Sequence, residues 1–169
     1  SDLAGFPSIS NINSVTYNGQ YYTAGGNFGS VLQSDKKRKW MSYSITGEDL
    51  SSIAWSAVYN KFYAVGAEGG IYSSSNGQNW LPSFSGVSSS PLNDIVSTTL
   101  ISGSTVLNIA GDDGVILTST NGSSWSSINI GTMSINAIAS GMRGAYDIII
   151  AAGNNGTIST SSNGISWNT

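Results

Sequence analysis

The chain has 169 residues, room for one domain with a substantial core, and carries nine acidic against six basic side chains with neither histidine nor cysteine. The missing thiols and imidazoles exclude disulfides, thiol catalysis, cysteine-ligated zinc and histidine general-base chemistry, and a net charge of -3 leaves no electrostatic footprint for a nucleic acid or an anionic membrane. Only 9% of the residues are charged, while Ser, Thr, Asn and Gly make up about half of the chain, which suits strands and turns better than helices.

In chain order, residues 1–10 precede four copies of one pattern, which occupy about residues 11–47, 48–86, 91–131 and 134–169. Each copy opens with two apolar residues three apart: Ile12 and Val15, Leu50 and Ile53, Leu92 and Ile95, Ile135 and Ile138. The residue after the first of each pair is polar, at Asn13, Ser51, Asn93 and Asn136. A second short strand follows, as at residues 20–24 and 62–65, carrying Tyr21, Tyr22, Phe62 and Tyr63 as expected packing between repeats. A Gly-x-x-Gly turn then begins at Gly26, Gly66, Gly111 or Gly153, where glycine tolerates positive φ. The third strand holds a β-branched residue (Val31, Ile71, Ile116, Ile158) and then a serine (Ser34, Ser74, Ser119, Ser161). Asn-Gly pairs at 76–77, 121–122 and 163–164 predict type I′ hairpins, and a fourth strand begins at Trp40, Trp80, Trp125 or Trp167. The tryptophan always lies fourteen residues after the first glycine. No stretch of about a dozen residues has a helical period.

Four antiparallel strands repeated four times predict an all-β fold, a small β-propeller of four four-stranded blades in one domain over residues 1–169. The tryptophans are 40, 45 and 42 residues apart, and joining the C-terminus to the N-terminus restores a spacing of 42. The fourth repeat ends two residues after its tryptophan, so residues 1–10 are expected to supply the missing last strand and close the ring. The alternative is a larger ring built from two chains. The longest apolar run, residues 148–152, is too short to cross a bilayer, and the sequence opens without a charged and then apolar leader.

The runs Ser74-Ser-Asn76-Gly77-Gln-Asn-Trp80, Ser119-Thr-Asn121-Gly122-Ser-Ser-Trp125 and Ser161-Ser-Asn163-Gly164-Ile-Ser-Trp167 resemble the Asp-box of bacterial-neuraminidase-type repeats. Asparagine replaces the aspartate in these three, and the first copy, residues 34–40, keeps Asp35 but loses the glycine. The longer repeat is similar to those of photosystem II assembly factors and of secreted or phage-encoded propellers. The resemblance implies the fold; families of this kind include sialidases, glycan binders and assembly factors, so function has to be argued from the site. The box itself reads as structural, its serine and asparagine satisfying hairpin donors and its tryptophan wedging between blades.

A sialidase-like site would clamp a carboxylate with three arginines, and the chain has only Arg38 and Arg143. The carboxylates Glu68, Asp112 and Asp113, at equivalent turns, are the one pairing that a different glycoside hydrolase would need. Turn carboxylates are more often solvated caps, so the expectation is a non-enzymatic protein. The same turns read better as a binding surface: Asn27, Phe28, Glu68, Asp112, Asp113, Asn154 and Asn155, with Asn13, Asn93 and Asn136 beside them, form a ring of amides, carboxylates and one aromatic. Such a mouth suits a hydroxyl-rich glycan or a protein loop, and its oxygens suit a hard cation such as calcium; no other cofactor is implied. The leading reading is a recognition module on a secreted, cell-surface or phage tail protein, monomeric unless two chains share a ring; the alternative is a scaffold that binds a folded partner. Lys36, Lys37, Arg38 and Lys39 form the only basic cluster, read as a solvated hairpin tip.

Overall fold

The computed structural model describes residues 11–34, 39–45, 47–83 and 90–169. The expected closing strand at 1–10 and the basic tip at 36–38 lie outside these residues. Alternating short strands and tight turns produce four successive antiparallel sheets, each a meander in chain order. Sheet 1 comprises β1 (Ile12–Tyr17), β2 (Tyr22–Gly26), β3 (Ser30–Ser34) and β4 (Trp40–Ser44). Sheet 2 comprises β5 (Leu50–Ser56), β6 (Lys61–Gly66), β7 (Ile71–Ser74) and β8 (Leu81–Pro82). Sheet 3 comprises β9 (Leu92–Thr99), β10 (Thr105–Gly111), β11 (Val115–Ser119) and β12 (Ser126–Asn129). Sheet 4 has β13 (Ile135–Arg143), β14 (Tyr146–Gly153) and β15 (Ile158–Ser161), and Asn168 bridges Thr160 where a fourth strand starts. Among the described residues no helix is long and apolar enough to cross a membrane.

The sheets stack face to face in sequence order, and their first strands β1, β5, β9 and β13 are the closest inter-sheet neighbours. Three apolar layers fill the spaces. Val31 of sheet 1 meets Leu50, Ile53 and Ala64 of sheet 2; Val65 and Ile71 meet Leu92, Ile95 and Ile109 of sheet 3; Ile116 and Ala110 meet Ile135, Ile138 and Ile149 of sheet 4. Each tryptophan caps the layer on the side of the preceding sheet: Trp80 the first, Trp125 the second, Trp167 the third. Trp40 has no preceding sheet among the described residues and is exposed. Phe62 and Tyr63 are fully buried as the packing argument requires, whereas Tyr22 is exposed and stacks on Tyr17 with ring centroids 4.5 Å apart.

The Asn-Gly hairpins differ from the type I′ expectation. Only the glycines, Gly77, Gly122 and Gly164, take positive φ, and the asparagines use their side chains instead. In the second sheet Ser74 Oγ accepts from the amides of Asn76 and Gly77, and Asn76 Oδ1 accepts from those of Gln78 and Asn79. Sheets 3 and 4 repeat this through Ser119 with Asn121 and Ser161 with Asn163. An asparagine whose oxygen caps two amides has no reason to adopt the left-handed form. The glycine is required for a further reason: a Cβ on Gly122 would stand 2.3 Å from the Tyr63 hydroxyl of the preceding sheet.

Candidate functional site

The polar residue after the first apolar position of each repeat has a structural explanation. The pairing of β1 with β2 skips Asn13, and the corresponding ladders skip Ser51, Asn93 and Asn136. All four are β-bulges, which turn a side chain out of the ladder. Released in this way, Asn13 donates to Asn27 Oδ1 at 2.8 Å, Asn93 to Asp112 Oδ1 at 2.9 Å and Asn136 to Asn154 Oδ1 at 2.8 Å. Each of these three asparagine bulges therefore holds the first residue of its own second-to-third-strand turn. Asn13 and Asn93 also donate to the carbonyls of Leu50 and Ile135, the first residues of the next sheet. Those bonds place the turns of neighbouring sheets at a common end of the stack, beside the starts of the first strands.

Three of the turns have one geometry. Asn27–Gly29, Asp112–Gly114 and Asn154–Gly156 are single 3-10 turns whose middle residue is left-handed: Phe28 at φ 56, Asp113 at φ 57 and Asn155 at φ 55. Asp and Asn tolerate this region; a phenylalanine there is uncommon. The Phe28 amide donates to Asp49 Oδ1 of the following sheet at 2.9 Å, which fixes the turn and leaves the ring two-thirds exposed, at 67%. Asp113 accepts from Ser90 Oγ at 3.1 Å, and Asn155 Nδ2 lies 3.1 Å from Met133 Sδ.

The second sheet's turn differs. Glu48, which the sequence reading did not single out, is buried against Gly66 and Gly70, where any Cβ would collide with its carboxylate. Its Oε2 accepts the Glu68 amide at 3.0 Å and its Oε1 the Tyr72 hydroxyl. The structure therefore divides the ten candidates in two. Asn13, Asn27, Asn93, Asp112, Asn136 and Asn154 hold turns in shape, whereas Phe28, Glu68, Asp113 and Asn155 are the tips. No group of three or more Asp or Glu side chains comes together as a metal site among the described residues.

Asp94 was also not signalled by any motif. Its Oδ1 accepts from Ser52 Oγ and its Oδ2 from the Ile138 amide, so one carboxylate joins sheets 2, 3 and 4. At the opposite end of sheet 3 an open cleft of about 280 Å³ is lined by Thr118, Thr120, Ser124 and Ser126 over Ile128 and Ile165. Burial, and then the neighbouring Tyr59, push the Tyr63 phenol up to about 12, and burial raises Tyr59 as well.

No protein-family model matches the chain, and no curated protein matches it. Solved structures do. The computationally designed Ika4 protein superposes with a TM-score of 0.69 at 13% identity, covering 92% of this chain and 93% of its own. U3-55K gives a TM-score of 0.69 at 11% identity, covering 90% of this chain but 46% of its own length. At these identities the likeness is one of fold: the chain matches nearly the whole of one neighbour and under half of the other.

Proposed function

We propose that the four sheets are successive blades of a propeller-type array, and that the chain is a non-enzymatic recognition module whose contact surface is the end carrying Phe28, Glu68, Asp113 and Asn155. The single observation behind this is Phe28. An exposed aromatic in a left-handed conformation costs backbone energy and exposes apolar surface, and nothing in the fold needs a phenylalanine where the equivalent turns carry aspartate and asparagine. A rigid aromatic flanked by amides and carboxylates is suited to the apolar face and hydroxyl rim of a sugar, the ligand class we favour, on a protein displayed outside the cell or on a virion. The Ser-x-Asn-Gly-x-x-Trp hairpins, at the other end of the strands, support kinship with Asp-box repeats and no role in binding.

The test is a glycan array with the intact chain beside a Phe28→Ala, Glu68→Ala, Asp113→Ala triple variant. Turn-tip substitutions are expected to shift stability by no more than about 0.5 kcal/mol each while array binding is lost. A folded triple variant that binds the same glycans with unchanged affinity moves the site away from this end. Binding absent from the array but present in a pull-down of a folded partner would favour the scaffold reading.

A further inference from the structure

Among the described residues the series of sheets ends in two different exposed faces. Each interior space is made from the same pair of half-interfaces: the leading face of one sheet and the trailing face of the next. On trailing faces, Leu50, Leu92 and Ile135 are 0% exposed and Ile53, Ile95 and Ile138 no more than 5%; their equivalents in sheet 1, Ile12 and Val15, are 46% and 60% exposed. On leading faces, Val31, Ile71 and Ile116 are at most 2% exposed, while Ile158 of sheet 4 is 60% exposed. The polar ties run out at the same place. Asn13 and Asn93 each donate to their own turn and to the first carbonyl of the next sheet, whereas among the described residues Asn136 donates to Asn154 alone.

We infer that the occupant of both faces is a second copy of this chain, joined head to tail, so that the leading face of sheet 4 in each copy covers the trailing face of sheet 1 in the other. The missing half of each end interface is present, ready-made, at the far end of an identical chain. The joint continues the three interfaces already inside the chain: Ile158 enters the layer over Ile12 and Val15, and Asn136 reaches the Ile12 carbonyl as Asn13 reaches that of Leu50. Two such joints related by a two-fold axis close a ring of eight sheets and leave no unlike face free to propagate a filament.

Sedimentation velocity and light scattering on the intact chain test this directly, the single-chain mass being 17.5 kDa. The expected mass is twice that. Val15→Asp and Ile158→Asp each bury an unpaired charge in both joints and are expected to weaken association about 100-fold or more, giving single chains. Mixing the two variants restores one undamaged joint and hence a dimer. A wild-type chain that stays single at high concentration overturns the proposal, including the case in which Val15→Asp lowers its melting temperature because part of the same chain covers sheet 1. So does an assembly larger than two copies, a dimer that neither variant disturbs, or a mixture that fails to re-form. Val15 and Ile158 are not among the turn tips, so either result leaves the glycan test intact.

Discussion

Val15 and Ile53 have the same place in consecutive repeats, three residues after an apolar partner and opposite an alanine on the second strand. One lies at the open end of the stack and the other is sealed between sheets 1 and 2. The contrast holds for Tyr22 against Phe62 and for Trp40 against Trp80. Strand and turn are settled within a repeat; burial of these positions is settled by whether another sheet precedes. Positions equivalent in the repeat therefore carry very different energetic weights, and several substitutions measure that difference.

The widest separation is expected from Phe62→Ala and Tyr22→Ala. Phe62 is fully buried, and truncating it is expected to cost about 3 to 5 kcal/mol in denaturant melts. Tyr22→Ala, measured on the dissociated chain, loses mainly the stacking on Tyr17, about 1 kcal/mol. Equal losses would mean that sheet 1 is covered as fully as sheet 2. Next come two left-handed glycines. Gly122→Ala drives a methyl into the Tyr63 hydroxyl and is expected to cost roughly 2 to 3 kcal/mol, whereas Gly156, with open space around it, bears only the backbone strain of about 1 kcal/mol. Comparing Asp94→Ala with Ser14→Ala separates a three-sheet tie from a two-sheet one, since Ser14 Oγ accepts only the Ile53 amide. About 2 kcal/mol against about 1 is expected from thermal melts.

The last effect is on pH. The Tyr63 phenol is raised from 10.0 to about 12 in the folded chain, so its contribution to stability is complete below pH 10 and is lost as the pH rises through about 12. Absorbance at the tyrosinate band should show this group titrating last, together with loss of the folded signal. The Tyr63→Phe variant is expected to flatten that alkaline loss; a profile identical to wild type would place the sensitivity elsewhere.

The tryptophan register and the Gly-x-x-Gly turns made the strand pattern of all four repeats legible, because each depends on contacts within about 15 residues. The asparagine bulges were legible as polar positions near a turn but not as its braces, since a bulge leaves no residue-type signature of its own. Glu48, Asp49 and Asp94 were illegible for a different reason: each acts on a turn or strand far away in sequence, at the Glu68 amide, the Phe28 amide and the Ile138 amide. Phe28 could be picked out as an odd residue in a turn, but its left-handed backbone could be recognised only once the Asp49 bond was seen.

Gln33 donates to the Asn76 carbonyl, Tyr63 to that of Gly122 and Asn108 to that of Gly164. Three unlike side chains thus fit one kind of socket, a main-chain oxygen that mutation cannot remove. A repeat family coupled in this way can drift in composition without losing its joints, because any long enough donor will serve. It can also gain or lose whole units, since the hairpins of sheets 2, 3 and 4 all present the same socket to the sheet before.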